Sequence, residues 1–168
     1  MIAPNPWRAM TAQDLALTYP LGEEIHSGFP ESPAVQPERL ALFPAGCRVA
    51  EDAKGTLLGY CISHPGVSGR PPALDSLLGG LPAGADCLYI HDVCLRREAR
   101  GQGLVGLLLG ALADLARDHG LGALALTAVG GADGVWRRHG FTDQPIDAAL
   151  RAKLASYRGI ALPMVRRL

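Results

Sequence analysis

Residues 99–106, ARGQGLVG, follow the most strand-like segment of the chain, the apolar run CLYIHDVCL at residues 87–95. Beyond the glycines, apolar residues recur at the spacing of an amphipathic helix, at Leu104, Leu107, Leu108, Ala111, Leu112 and Leu115. A strand, a glycine-rich loop and a helix in this order form an anion site, because the first N–H groups of the helix lack partners within it and the helix dipole favours negative charge. The stretch therefore predicts a loop that holds a phosphate group.

The glycines Gly101, Gly103 and Gly106 have the G-x-G-x-x-G spacing of a dinucleotide-binding loop. In that motif the first glycine follows the strand directly, whereas the charged residues RREAR at 96–100 intervene here. The next predicted strand, residues 121–129, also lacks the acidic residue that would bind the ribose, since its segment at 123–129 reads ALALTAV. A dinucleotide-binding oxidoreductase is therefore a disfavoured alternative. A glycine-rich helix start that binds no ligand is a second one.

The same residues fit another pattern better. RGQGLV at residues 100–105 resembles the acetyl-CoA signature R/Q-x-x-G-x-G/A of the GCN5-related N-acetyltransferase (GNAT) family. WRRHGF at residues 136–141 is similar to a second landmark of that family, an aromatic residue shortly before Gly-Phe at the end of a short helix. One predicted helix and one predicted strand lie between the two motifs, and the order of elements agrees over nearly the whole chain.

The resemblance implies a fold and a donor. The fold is a single α/β acetyltransferase domain over residues 1–168, with a mixed, mostly antiparallel central sheet of about six to seven strands, splayed in the middle, and helices on both faces. The donor is acetyl-CoA as co-substrate. By the family pattern, the pyrophosphate is held at Arg100, Gly101, Gln102, Gly103, Leu104, Val105 and Gly106, the pantetheine arm pairs with the main chain of Val93, Cys94 and Leu95, and Trp136 marks the aromatic landmark.

The resemblance also suggests where the chemistry lies. His91 and Asp92 stand beside the expected thioester, where polyamine-acetylating relatives have a Glu-Asp pair whose Glu is thought to act as base. His91 is therefore the candidate base, because a histidine is suited to proton transfer near neutral pH. Asp92 is expected to orient the base or contact the substrate. Strand alternation predicts that His91 and Asp92 face opposite ways. Structural roles, as a half-buried hydrogen-bonded histidine and a loop-fixing carboxylate, remain open for both.

Protonation of the leaving thiolate has no obvious donor. Many family members have a tyrosine for this step at the position of Trp136, whose indole N–H stays protonated. Tyr157 is a remote candidate, and a thiol pKa near 8.5 also allows the thiolate to leave unprotonated. Cys94 is disfavoured as an acyl carrier, because it is expected on the face opposite His91 and nothing near it in sequence lowers its pKa. A non-catalytic acyl-CoA-binding module is therefore an alternative function.

The acceptor is expected to be an amine of a small molecule or peptide. The family pattern places its pocket at residues 23–43 and 65–86, where Glu23, Glu24, Glu31 and Asp75 are candidates to attract a cationic amine.

The charge balance, 16 basic and 16 acidic residues, favours neither nucleic acid nor a membrane as a partner. The four cysteines lack metal-ligand spacing, so no metal is expected, and they are predicted to be buried free thiols. A cytoplasmic location is expected because no signal peptide or membrane span is recognised. Oligomeric state is open, and a homodimer is compatible with the sequence.

Local patterns predict the remaining elements. A capping box at Thr11 and Asp14 starts a helix that is expected to stop before Pro20. Residues 65–86 are expected to form a long loop with one short helix at 74–78, of the kind that often covers a substrate. Gly120 is predicted to end the helix that follows the glycine loop. Residues 160–168 are predicted to form a last strand, with Pro163 at an edge or bulge.

Overall fold

The computed structural model describes residues 5–157 and 159–168. Seven strands form one sheet: β1 (Trp7–Ala9), β2 (Cys47–Glu51), β3 (Leu57–Gly66), β4 (Cys87–Leu95), β5 (Ala123–Val129), β6 (Thr142–Asp143) and β7 (Ala161–Arg167). The α-helices are α1 (Leu15–Ile25), α2 (Val35–Leu42), α3 (Leu104–Asp118), α4 (Asp133–Arg138) and α5 (Ala148–Leu154). Single 3₁₀ turns precede α1, β2 and the glycine loop.

The sheet has the order β1-β2-β3-β4-β5-β7-β6 and is open. Among the described strands, β4 and β5 are the one parallel pair. They pair only over Leu88–Ile90 and Leu124–Leu126. Both strands continue past this point, to Leu95 and Val129, without pairing to each other. The sheet is therefore splayed in the middle, as the family resemblance implied.

Each face of the sheet is covered by helices. On one face, α3 buries a stripe of leucines against β4 and β5, with Leu108 and Leu112 packed on Leu88 and Leu124. On the other face, α1 covers β2, β3 and β4 through Leu21, which belongs to a cluster with Val49, Tyr60, Ile62 and Cys94. The amphipathic spacing of α3 produces the first layer, since residues three and four apart share a helix face. The result is the α/β fold with helices on both faces that was expected.

One helix boundary differs from the prediction. The capping box of Thr11 and Asp14 is present, but α1 runs through Pro20 and ends at Ile25. Proline removes the hydrogen bond to the carbonyl four residues before it, which here belongs to Ala16. Both Pro20 and Ala16 lie on the exposed side of the helix, where water can satisfy that carbonyl. The helix therefore tolerates a residue that usually ends one.

The long loop also differs from the prediction. β3 extends to Gly66, and residues 74–78 form no helix. Asp75 has a positive φ of 54°, which a helix does not accommodate, and its carboxylate accepts a hydrogen bond from Ser32 N at 2.6 Å. The backbone of Leu78 donates to the Glu38 carboxylate at 2.7 Å. Side chains of other elements thus satisfy the loop backbone, and these tertiary contacts replace the local helix.

Other predictions are confirmed. β4 has the predicted bounds, and Gly120 follows the end of α3 with a φ of 68°. The four cysteines are buried and free. β7 lies between β5 and β6, so it is not an edge strand. β6 is short and pairs only with Val165 and Met164 of β7, so Pro163 has a strand partner only on β5. None of the helices in the described part of the chain is long and apolar enough to span a membrane.

Candidate active site

The divergence of β4 and β5 opens a cleft at the centre of the sheet. Beyond Ile90 and Leu126 the two strands make no ladder, so the main-chain groups of β4 that face β5 have no strand partner. Unpaired main-chain N–H and C=O groups at a strand edge bind extended ligands readily. The side chains of Val93 and Leu95 pack against the core on the α3 side, which leaves their main chain to border the cleft.

A β-bulge changes the expected alternation on β4. Ser63 pairs with Ile90 and Ile62 pairs with Asp92, so His91 is the extra residue on β4. A bulge shifts the phase of the side chains that follow it. His91 and Asp92 therefore both lie on the α1 side of the sheet, and the prediction that they face opposite ways is wrong. Cys94 lies on this side too, buried under Leu21 with Sγ 3.8 Å from the Leu21 carbonyl oxygen.

Asp92 is held on both carboxylate oxygens. Oδ1 lies 3.0 Å from His26 Nε2, and Oδ2 accepts a hydrogen bond from Tyr60 Oη at 2.6 Å. Burial opposes ionisation of Asp92, but His26 and Tyr60 keep the pKa of its carboxyl below the usual value. Burial likewise opposes protonation of His26, but the Asp92 carboxylate raises the pKa of His26 to about 10. At neutral pH the two groups form an ion pair between α1 and β4.

His91 is paired with a carboxylate from another part of the chain. Its Nε2 lies 2.8 Å from Glu31 Oε1, and its side chain is 4% exposed. Its Nδ1 is buried and has no hydrogen-bond partner among the described residues. The ring of His64 lies 6.4 Å from that of His91, and burial lowers the pKa of His64 to about 4. His91 therefore has a neutral histidine and an oriented carboxylate as neighbours.

A cavity of about 210 Å³ lies beside this pair, and we call it the acceptor cavity. The C-terminal half of α1, the loop after it, and β3 and β4 form its walls. Its lining residues are acidic, aromatic and small: Tyr19, Gly22, Glu23, His26, Ser27, Phe29, Pro30, Glu31, Tyr60 and Asp92. Of the four acidic residues singled out in the sequence, Glu23 and Glu31 line it. Glu24 lies elsewhere, and Asp75 binds the backbone of Ser32.

The glycine loop lies at the opposite end of β4. Gly101 and Gly103 have positive φ angles of 74° and 78°, which other residues rarely adopt. The first backbone bond of the α3 ladder runs from Leu107 N to Gly103 O, so the amides of residues 104–106 precede it. The side chain of Val105 packs against the core, and Trp7 Nε1 donates to the Leu104 carbonyl at 2.8 Å. These two contacts fix the start of α3 on the core. The amides of residues 104–106 have no partner within the helix.

A second cavity, of about 430 Å³, adjoins this loop, and we call it the basic cavity. Arg96, Arg97 and Arg100 line it with Glu24, Glu98, Leu21 and Ile25. Arg100 Nε lies 3.3 Å from the Leu95 carbonyl oxygen, which holds the side chain at the end of β4. Gln102 donates to the Glu98 carbonyl at 2.8 Å and so stabilises the turn. Three guanidinium groups against two carboxylates leave the lining with a net positive charge, and Arg100 leads from it into the glycine loop, so an anionic group is favoured here.

The remaining sequence-predicted residues occupy other walls of the cleft. Trp136 on α4 packs edge-on against Phe141, with ring centroids 5.7 Å apart, and contributes no hydroxyl group. Where β4 and β5 part, Tyr89 Oη and Thr127 Oγ1 lie 2.9 Å apart. Tyr157 lies 3.5 Å from the Pro72 carbonyl oxygen, and burial raises the pKa of Tyr157. These hydroxyl groups are near the point where the strands diverge.

Sequence reasoning did not single out His26, Tyr60, His64, Tyr89 and Thr127. Tyr60, His64 and Tyr89 lie on strands whose apolar pattern predicts only core positions, and the bulge at His91 has no local marker. His26 follows α1, whose predicted end at Pro20 left it in a loop. The sequence does place two polar residues, His26 and Glu31, within one short segment. It gives no indication that this segment contacts β4.

The architecture is shared with solved structures of other proteins. Similar structures include Ard1 from Thermoplasma volcanium (TM-score 0.70, 14% identity, 96% of each chain covered). A second is the GNAT-like decarboxylase GphF in complex with isobutyryl-CoA (TM-score 0.74, 16% identity, 96% of this chain and 98% of that one). A third is the NatC complex bound to Gag peptide and CoA (TM-score 0.68, 18% identity, 96% of this chain and 97% of that one). At these identities the likeness establishes the fold.

Membership of a family follows from a comparison of sequences. No curated protein matches this sequence. The model of the acetyltransferase (GNAT) family matches residues 11–141, a segment that contains the bulged strand, the glycine loop and the aromatic landmark. The chain belongs to the GNAT acetyltransferase family.

Proposed function

We propose that the protein transfers an acetyl group from acetyl-CoA to an amine of a small molecule or peptide, by direct attack of the amine on the thioester. The supporting observations fall into two parts: the cleft between β4 and β5 with the helix-start amides and Arg100 that follow β4, and the acceptor cavity beside Asp92 of β4. A donor with an anionic end and an extended arm suits the first part. An amine suits the second.

In this proposal the chain itself binds the donor. The amides of residues 101–106 and the guanidinium groups beside them, Arg100 among them, bind the pyrophosphate. The unpaired main chain of Val93, Cys94 and Leu95 pairs with the pantetheine arm. Trp136 packs along the wall of the cleft. The thioester supplies an acyl group open to nucleophilic attack, and a main-chain N–H at the bulge is positioned to stabilise the oxyanion.

His91 is proposed as the base. A histidine whose Nε2 donates to the Glu31 carboxylate has an acceptor lone pair on Nδ1, the buried atom without a partner among the described residues. Glu31 thereby fixes the tautomer of His91. Asp92 is a positioning residue in this scheme, because His26 and Tyr60 already occupy its two oxygens.

Binding and turnover test the proposal in sequence. Acetyl-CoA at one hundred times its Kd is expected to stabilise the fold by about 2.7 kcal/mol, which raises Tm by about 5–10 °C at this size. NAD⁺ and NADP⁺ serve as controls and are expected to leave Tm unchanged. Release of free CoA in the presence of primary amines then measures transfer. A Tm shift with NAD⁺ or NADP⁺ alone would contradict the proposal.

A non-catalytic acyl-CoA-binding module is the second candidate, and Trp136 favours it because no tyrosine hydroxyl occupies that position of the fold. The two functions differ in one result. A module would bind acetyl-CoA with the same Tm shift yet release no CoA with any amine. Release of CoA that depends on the amine concentration would exclude it.

A further inference from the structure

We infer that the acceptor carries a second cationic group, which binds between Glu23 and Glu31 while the reacting amine lies toward the bulge of β4. This inference rests on the proposed function and names the substrate class of the acceptor cavity. Its ligand is a small diamine or an equivalent dication, as opposed to an amino acid or an apolar monoamine. The charge and the shape of the cavity support it.

The charges that line the acceptor cavity do not balance. Asp92 and His26 form an ion pair and cancel each other. Glu31 lies against His91, and Glu23 accepts a hydrogen bond from Tyr19 Oη at 3.0 Å, so neither carboxylate has a lysine or arginine partner among the described residues. Two carboxylates without a lysine or arginine partner attract a dication more strongly than a single ammonium group.

The nearest buried cation does not alter this balance. Arg39 on α2 is fully buried, but it is not among the residues that line the cavity. Its Nη1 lies 2.6 Å from Glu38 Oε1, which neutralises it. The Glu38 carboxylate also accepts hydrogen bonds from the amides of Leu78 and Gly79. Glu38 therefore pairs with Arg39 and holds the long loop, and the arginine itself does not line the cavity.

The shape of the cavity suits a small cation. Its volume of about 210 Å³ is below the range of roughly 300–1,000 Å³ that is usual for drug-sized ligands. The rings of Tyr19, Phe29 and Tyr60 contribute to its wall, and aromatic faces attract ammonium groups. A small cation therefore matches the size and the aromatic lining of the cavity.

Three ligands with the same four-carbon chain test the inference: putrescine, butylamine and γ-aminobutyrate. They differ only in whether the far end is cationic, apolar or anionic. Isothermal titration into protein with and without saturating CoA measures binding independently of turnover. We expect putrescine to bind about tenfold or more tightly than butylamine, and γ-aminobutyrate to bind most weakly, because like charges repel across a site.

Glu23→Gln isolates the second cation, because glutamine keeps the acceptor for Tyr19 and removes the charge. We expect about a tenfold loss of putrescine affinity in this variant and less than about a twofold change for butylamine. Asp114→Asn is the control, because this exposed carboxylate on α3 lines neither cavity, and it is expected to change neither affinity.

Each outcome of these titrations either supports or contradicts the inference. The order putrescine, butylamine, γ-aminobutyrate, lost on Glu23→Gln, supports the inference. Equal binding of the three ligands, tighter binding of γ-aminobutyrate, or no binding of putrescine overturns it. Failure of CoA itself to bind would instead contradict the proposed function, and the titrations without CoA would still decide the charge preference of the cavity.

Discussion

The two ends of the cleft are built in different ways. The phosphate end comes from one continuous segment, residues 96–106, where strand end, arginines, glycines and helix start follow one another. The acceptor end combines Glu23 and Glu31 from the α1 region with Tyr60 of β3 and His91 and Asp92 of β4. Each residue of the first end is positioned by its neighbours in sequence, whereas the second depends on contacts between distant elements.

This difference implies a separation of effects. Changes at the glycine loop should alter CoA binding and leave the chemistry of bound substrates intact. Changes at the acceptor end should alter turnover or stability with CoA binding unchanged. The predictions below test that separation, beginning with the largest expected effect.

His91→Ala should lower kcat/KM by about 10²–10⁴, the contribution of a general base. The Kd for CoA should stay the same, because the imidazole lies at the acceptor end. Steady-state kinetics and CoA titration measure the two quantities. His119→Ala, an exposed histidine at the end of α3, is the control and should stay fully active. Retention of activity in His91→Ala would remove His91 from the mechanism.

Tyr60→Phe should reduce the free energy of unfolding by about 1.5–3 kcal/mol, because it leaves Oδ2 of the buried, ionised Asp92 without its donor. Urea unfolding at neutral pH measures this change. In Tyr19→Phe the lost hydroxyl bonds the exposed Glu23, where water can replace it, and the cost should be clearly smaller. Equal costs for both variants would show that Asp92 does not depend on Tyr60.

Gly103→Val should weaken CoA binding about tenfold, because a β-branched residue at a φ of 78° costs roughly 1–2 kcal/mol and displaces the loop amides. The added Cβ meets no atom within 4 Å, so backbone conformation alone causes the effect. Gly110→Val makes the same chemical change on the exposed face of α3 and should leave the Kd unchanged. An unaltered Kd in Gly103→Val would separate the loop from phosphate binding.

The ion pair of His26 and Asp92 predicts a pH effect on stability. The pKa of His26 is raised from 6.5 to about 10, so its contribution is complete below pH 6.5 and is lost as the pH rises toward 10. Because the His26 side chain is 31% exposed and therefore screened, the loss between pH 7 and 9 should be roughly 1 kcal/mol. His26→Gln should lack this component. Parallel pH profiles of the two proteins in urea unfolding would contradict the assignment.

Some errors of prediction have a common physical cause. Pro20 was expected to end α1, and a helix was expected at residues 74–78, because local propensity was the only guide. In the fold, Pro20 and Ala16 lie on the solvent-exposed side of α1. Asp75 accepts a hydrogen bond from Ser32 N, and Glu38 accepts one from Leu78 N. Tertiary contacts and solvent thus outweighed local preferences, whereas β4 and α3, with long unbroken patterns, matched their predictions.

The sequence by itself determined the family, the central strand, the glycine loop and the amphipathic helix behind it. These features arise from interactions between near neighbours, namely helix periodicity, unpaired helix-start amides and glycines at positive φ, all of which are written in consecutive residues. Tertiary structure decided the acceptor end. The bulge at His91 brought His91 and Asp92 to one face, and the packing of α1 on β3 and β4 joined them to Glu31, His26 and Tyr60. Register and the approach of distant side chains depend on the whole sheet, so no local pattern contains them.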